Sequence, residues 1–351
     1  SPNCLASAAF NLFGPDATSL GGTRTSTALR TRKVASGRMM NVHSTDYAAP
    51  PKLKAGVRDY LRIARFDHMT KHVFILPGIV LALLLRGATV DMSGLVQNVL
   101  LGLISAICVA SANYVINEWL DRDFDRFHPE KSQRAAVQRE MSARVVMVEY
   151  LALLGAGLGL AFLVNPTFFV ASVLFGLSGL AYNVPPLRTK DRMVVDVLSE
   201  SVNNPIRLLM GWAMVDGLSL PPVSLVFAFW CGGAFLMYSK RLSEYRDIVA
   251  SDGVEILGRY RRSFRYYTEN SLAVANLVYA LSCAFFIAIF FIKYRIEYVL
   301  VFPCLVALFA VYYALALTPG SVARKPEKLY RAKPVILCAA VTTIVFVNHS
   351  Y

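Results

Sequence analysis

Charge is scarce in this chain. Asp, Glu, Lys and Arg make up 17% of its 351 residues, against roughly 25% in an ordinary soluble domain. Acids are the scarcer sign, with 23 Asp and Glu against 36 Lys and Arg. No C-x-x-C pair occurs among the six cysteines, which argues against a structural zinc site or a disulfide framework. Cys108, Cys231, Cys283, Cys304 and Cys338 fall inside apolar runs, Cys4 falls in the polar N-terminal stretch, and all read as inert thiols. His68 and His128 are not spaced as a metal pair, and nothing supports a Ser/His/Asp triad. No short-period repeat is visible. With 56% hydrophobic residues and a mean hydropathy of +0.47, a soluble domain, a disordered tail and a collagen-like fibre are all excluded.

What is present is apolar sequence in runs of about 18–22 residues, the length that crosses a bilayer as a helix. The bilayer admits only helices or a closed barrel. The runs are continuously apolar rather than alternating, so the fold class is an all-α membrane protein. Nine spans are predicted, over 72–90, 95–117, 145–164, 167–183, 194–215, 220–241, 271–292, 296–317 and 332–349. Residues 1–55 read as a flexible basic leader, and 56–351 as the membrane domain. The leader is Ser- and Arg-rich and acid-poor, as in an organelle transit peptide. A stretch upstream of the true start is the alternative reading. It has no uninterrupted apolar core of the kind a secretory signal needs.

Of the 36 Lys and Arg, 27 fall in 52–71, 118–145, 184–193, 240–268 and 318–333, whereas the loops that alternate with these hold three. By the positive-inside rule this predicts nine crossings with the N-terminus cytoplasmic and the C-terminus outside. It places the chain in a bacterial inner membrane, or in an organelle membrane if the leader is a transit peptide. It also accounts for the net charge of +13 without nucleic acid. The basic residues face anionic headgroups, phosphate-bearing substrates, or both.

Four constellations could carry chemistry. In the first, at about 100° per residue, Asn117, Glu118, Asp121 and Asp125 fall at roughly 0°, 100°, 40° and 80° on one helix face. Three carboxylates and an amide there call for a hard divalent cation, and oxygen-only ligands suit Mg²⁺. Arg126, Lys131 and Arg134 nearby fit a polyanion; the alternative is a solvated loop of interleaved charges. In the second, at the end of the sixth span, Lys240, Glu244 and Asp247 fall at roughly 0°, 40° and 340° as a mixed-charge face, with Arg241 beside it. It suits phosphate binding or a plain i,i+4 surface pair. The third is a stripe of Asp196, Glu200, Asn203 and Arg207 down one membrane helix, where polar residues face a cavity or Glu200 pairs with Arg207. Pro205 invites a kink there. Tyr182, Arg188 and Lys190 form a basic turn just before it. The fourth places Arg65 and Lys71 ahead of the first span, as phosphate ligands or as anchors reaching for headgroups.

Over residues 58–349 the chain resembles the UbiA superfamily of intramembrane prenyltransferases. That family's N-D-x-x-D-x-x-x-D motif reads Asn117-Glu118-x-x-Asp121-x-x-x-Asp125 here, with Glu at the second position. The resemblance implies a helical bundle around a central cavity open to the cytoplasmic side, with Mg²⁺ and a diphosphate at the motif. Most members carry another aspartate-rich motif after helix six, where this chain has Lys240-Arg241-Leu-Ser-Glu244. That feature, with Asp125-Arg-x-His128-Pro-x-Lys131-x-x-Arg134 and Tyr182 to Lys190, is similar to the decaprenyl-phosphate phosphoribosyltransferase branch. Two departures stand against it: Arg134 is followed by Ala135 rather than Pro, and Trp-Val-Lys-Asn is replaced by Met69-Thr-Lys71-His72. The branch implies transfer of phosphoribose from phosphoribosyl diphosphate to a polyprenyl phosphate. The alternative is a prenyltransferase that alkylates an aromatic or other small acceptor with a polyprenyl diphosphate. The remote alternative is a transporter, which predicts an inverted repeat that the sequence does not show. The expected partners are a polyprenyl phosphate or diphosphate, a phosphorylated small co-substrate and the membrane. Oligomeric state is not legible.

Overall fold

The computed structural model describes residues 53–86, 93–126, 131–318 and 332–348. Their regular structure is helical, and no named strand occurs among them. The principal helices are α1 (Val57–Ile63), α2 (Leu76–Arg86), α3 (Leu95–Asp125), α4 (Ala143–Val164), α5 (Pro166–Asn183) and α6 (Val195–Ser201). They continue with α7 (Asn203–Val215), α8 (Val223–Asp252), α9 (Glu269–Tyr294), α10 (Phe302–Leu317) and α11 (Lys333–Asn348). Three-ten turns Phe66–Ile75 and Ile296–Val301 lead into α2 and α10. Among the described residues, six helical segments are long and apolar enough to cross a membrane. They are α3, α4, α5, α8, α9 and the continuous Ile296–Leu317.

The other three predicted spans correspond to helices that are shorter or bent. His72–Arg86 and Lys333–Ile344 are apolar but short. The span expected over 194–215 divides at Val202 into α6 and α7. Pro205 is the cause: it has no N–H for the Ser201 carbonyl and sits in the first turn of α7, where that donor is not needed. Val202 keeps helical angles and the ladder resumes from Ile206 N–H to Val202 O at 3.2 Å, so the chain bends there rather than turning back.

Helix α3 packs on α4 and α5, α2 on α7, and α8 on α9. Ile75, Val109, Phe168, Phe175, Met210 and Met214 fill the space among α3, α5 and α7. In a bilayer, helix association relies on close packing, so small residues mark the crossings. A Cβ on Gly78 would run into the Leu208 carbonyl, and one on Gly211 into that of Ile75. This pair sets how closely α2 and α7 approach. Asn165 ends α4 and starts α5: its Oδ1 accepts the Phe168 N–H at 2.8 Å, with Pro166 as the first helical residue. Outward faces are apolar, as at Val148, Phe162 and Leu281, which suits lipid.

The polar ends sort themselves. Arg86–Asp216 and Arg295–Glu297 lie at one end of the bundle. The ends of α3, α5 and α8 and the start of α6 bring their charged residues to the other.

Candidate active site

The acidic face forms on α3 because that helix runs 31 residues and carries Asp121 and Asp125 in its last turns. Each acid is held by cations from a following loop. Arg134 donates to Asp125 Oδ2, and Lys131 Nζ lies 4.0 Å from its Oδ1. Asp121 Oδ1 receives Lys190 Nζ at 2.6 Å and Arg188 at 3.0 Å. Arg188 adopts φ 30°, a left-handed conformation uncommon outside glycine. It is fixed there by Asp191 at 3.0 Å as well as by Asp121. Lys190 is buried and also donates to Asn183 Oδ1 at 2.8 Å. Burial lowers its pKa, and Asp121 opposes that shift. Lys131 has its pKa pushed down to about 8 by burial and by the Arg261 cation. Asp125 and Glu244 pull the other way.

Glu118 departs from the expected metal set. It is buried and faces the Arg65 and Arg134 guanidiniums and the Ala136 backbone amide. Among the described residues no three Asp, Glu, His or Cys side chains converge as a metal site. The acids are instead turned to fixed cations. The donor chemistry still fits Mg²⁺, which takes one or two carboxylates and completes its shell with water and substrate phosphate. Asp121 and Asp125, one turn apart, can supply those two, with Asn117 on the same face.

The second constellation differs from the phosphate site expected of it. Arg241 is 1% exposed and lies among three carboxylates: Glu200 at 3.0 Å, Glu244 at 3.2 Å and Asp196 at 3.6 Å. It is the centre of a buried ion cluster, not a cation left open for substrate. Glu200 also accepts the Tyr182 hydroxyl at 3.0 Å. Asp196 is fully buried and accepts Tyr267 Oη at 2.7 Å and Ser263 Oγ at 3.0 Å. Lys240 lies 3.9 Å from Glu244 as an i,i+4 pair. The anticipated Glu200–Arg207 pairing is not formed. Arg207 instead lies deeper, over the Phe175 ring at 5.0 Å. Asn203 Oδ1 accepts Ser178 Oγ at 2.7 Å. Arg126 is exposed at the end of α3. The Lys71 side chain and His128 lie outside the described residues.

Sequence reasoning missed Arg261 and Arg262. Arg261 approaches Asp196 at 3.5 Å, and Arg262 reaches Asp191 at 3.1 Å while lying over Phe124. Their signal was a paired-arginine run in the loop 240–268, counted toward topology and given no role.

The sequence profile of the UbiA prenyltransferase family matches residues 74–337. The chain belongs to that family. A curated UbiA-type relative, the protoheme IX farnesyltransferase of Alkalihalophilus pseudofirmus, is 29% identical over 196 residues, covering 54% of this chain and 61% of that protein. The protoheme IX farnesyltransferase of Staphylococcus saprophyticus is 24% identical, covering 55% and 65%. The chain thus spans under two thirds of these relatives. A UbiA homolog from Archaeoglobus fulgidus, solved bound to DMAPP and Mg²⁺, superposes with a TM-score of 0.62 at 21% identity, over 83% of this chain and 99% of that one. A digeranylgeranylglyceryl phosphate synthase structure gives 0.56 at 16%, over 84% and 96%. The fold is therefore the UbiA fold, and with its six long apolar helices the chain is an integral membrane protein of that family.

Proposed function

We propose that this UbiA-family protein is Mg²⁺-dependent and transfers phosphoribose from phosphoribosyl diphosphate to a polyprenyl phosphate. The observation that carries this reading is the second flank of the site. Where a second metal would need free carboxylates, Glu200, Glu244 and Asp196 are consumed by Arg241. Cations then crowd the remaining acids: Lys131, Arg134, Arg188 and Lys190 around Asp121 and Asp125, with Lys240 opposite. Such a site suits a donor with a monophosphate besides its diphosphate, and an acceptor that is itself a phosphate.

In this reading Asp121 and Asp125 hold Mg²⁺, with Asn117 beside them. Bound there, the ion supplies charge neutralisation of the departing diphosphate. Arg188, Lys190, Lys131 and Arg134 orient the donor phosphates. The donor C1–O bond breaks and its electron pair leaves with diphosphate. An acceptor phosphate oxygen forms the new bond to C1; it is already anionic, so no side chain need remove a proton. The polyprenyl tail takes an apolar cavity of about 550 Å³ lined by Leu225, Phe229, Phe290, Leu305 and Phe309, with Asn204 as a polar lining residue. The site end of the bundle is the cytoplasmic one, with nine crossings, the N-terminus cytoplasmic and the C-terminus outside. The membrane is a bacterial inner membrane, or an organelle membrane if residues 1–55 act as a transit peptide.

The names of the curated relatives favour a second reading, transfer of a prenyl group from its diphosphate to a small acceptor. Purified protein is incubated with Mg²⁺, labelled phosphoribosyl diphosphate and polyprenyl phosphate. In parallel it is given labelled allylic diphosphate with aromatic acceptors, and the lipids are extracted. Label from the sugar donor in lipid supports the first reading. Label from the allylic donor alone replaces it with the second.

A further inference from the structure

Arg207 is used neither by the acid face nor by the Arg241 cluster. It is 8% exposed, and its Nε has no hydrogen-bond partner. Among the described residues it forms no ion pair. The nearest acid on its own stripe, Glu200, is held by Arg241 at 3.0 Å and by Tyr182 at 3.0 Å. What touches the guanidinium is a ring face, that of Phe175 at 5.0 Å. A cation in a membrane bundle normally faces the interior and meets a counter-charge, because leaving it unpaired is costly.

Its depth identifies which charge it meets. Asp121, Tyr182 and Glu200 lie at the level of the acid face. Seven residues from Asp121 and Tyr182 along their helices lie Tyr114 and Phe175, and Arg207 lies seven residues from Glu200, past the bend at Val202. Seven residues on a helix are two turns, about 10 Å. Phe175 lies beside Arg207, and Tyr114 is close enough to act on its charge, so the three residues share one deeper level. A diphosphate held by Arg188 and Lys190 at Asp121 belongs to the upper level. In an in-line displacement the nucleophile approaches from the side opposite the leaving group, here the deeper side.

We infer that Arg207 binds the oxyanion of the acceptor at the floor of the site, so that the acceptor must carry a phosphate or a carboxylate. This deepens the transferase reading above and rests on it. A planar guanidinium pairs bidentately with either group. The phosphate would come from a polyprenyl phosphate, the carboxylate from an aromatic acid.

The test uses the full chain in detergent, as wild type, Arg207→Gln and Arg207→Lys. Thermal shift is read with farnesyl monophosphate and, separately, benzoate; this needs no turnover. Transfer kinetics are read with acceptor and donor varied in turn. Expected is a wild-type shift with one of the two anions, which names the source, and its loss in Arg207→Gln. The acceptor KM should rise on the order of 10-fold or more, as for loss of a charge-assisted contact. The donor KM should stay within about twofold, and Arg207→Lys should recover part of the loss. A ligand-free Tm at or above wild type is expected for Arg207→Gln, since an unpaired buried charge has been removed. An unchanged acceptor KM overturns the inference. So does a lowered Tm with donor and acceptor binding lost together, the mark of a structural residue. If the wild type transfers nothing while its anion shift still depends on Arg207, the transferase reading fails and the anion site stands.

Discussion

Replacing Arg241 by Met separates a structural cation from a substrate ligand. The methionine keeps the apolar stem and removes the charge from among Glu200, Glu244 and Asp196. Breaking a buried ion pair from one side costs about 3–5 kcal/mol, because the surviving charge is left unpaired. Two features moderate this. Glu200 and Glu244 are 30% and 24% exposed and can regain water, and Arg261 remains 3.5 Å from Asp196. The fully enclosed Asp196 therefore sets the loss, near the low end at about 3 kcal/mol. At about 2–4 °C per kcal/mol for a chain of this order of size, the Tm should fall by roughly 6–12 °C. Labelling of free cysteines by a thiol dye during heating measures it, since Cys283 is buried and reports opening of the bundle. Adding Asp196→Asn to Arg241→Met should recover part of the loss, because it removes the stranded charge. A single variant that melts within about 2 °C of wild type while its donor KM rises tenfold would refute the argument. It would make Arg241 a phosphate ligand after all.

Three further outcomes follow from the same geometry. Lys131, with its pKa pushed down to about 8, is a cation below that pH and neutral above it. The donor KM should therefore be flat below pH 8 and rise above it, and Lys131→Arg should remove the alkaline rise; an identical profile in the variant refutes this. Gly211→Ala should push α7 off the Ile75 carbonyl and cost about 1–3 kcal/mol of overpacking, seen as a lower Tm, whereas Gly155→Ala, open around its Cβ position, should be silent. Asp121→Asn should abolish turnover while the protein still folds, with a lower Tm because buried Lys190 loses its counter-charge, and wild-type activity that survives exhaustive EDTA treatment would sink the metal assignment.

Much of the architecture was legible because lipid punishes polar groups so heavily. Runs as apolar as 145–164 and 271–292 leave no choice but a helix, and α4 and α9 lie where those runs do. The bend at Val202 was legible in Pro205. The charge pairings were less so. Helical angles put Asn117, Glu118, Asp121 and Asp125 on one face, yet side chains within such an arc still choose partners. Glu118 is buried within the field of Arg134 and Arg65, which lie 16 and 53 positions away. Asp196 and Arg241 are 45 positions apart, and nothing in local spacing reveals that they meet at 3.6 Å. The unpaired state of Arg207 was hidden for the same reason: its apparent partner Glu200 was claimed by a residue on another helix. Local period finds faces, while tertiary contacts decide who neutralises whom.

The lengths of α3 and α8 bear on how one site handles both a charged and a greasy substrate. At 31 and 30 residues they extend about 45 Å each, against a hydrocarbon core of about 30 Å. Each therefore overhangs by roughly ten residues. The overhangs are where the charge sits: Asp121 and Asp125 on α3, and Lys240, Arg241, Glu244 and Asp247 on α8. Had either helix stopped at the membrane surface, its acids would have had to form inside the apolar slab, where ionised carboxylates are costly. Carried past it, they can be neutralised by the loops 126–142 and 183–194, which hold Lys131, Arg134, Arg188 and Lys190. Below this level α8 turns apolar and lines the cavity at Leu225, Phe229 and Phe235. Under the proposed function, a water-borne polyphosphate at the overhangs and a lipid-borne chain along the apolar part of α8 would then meet without either leaving the phase that dissolves it.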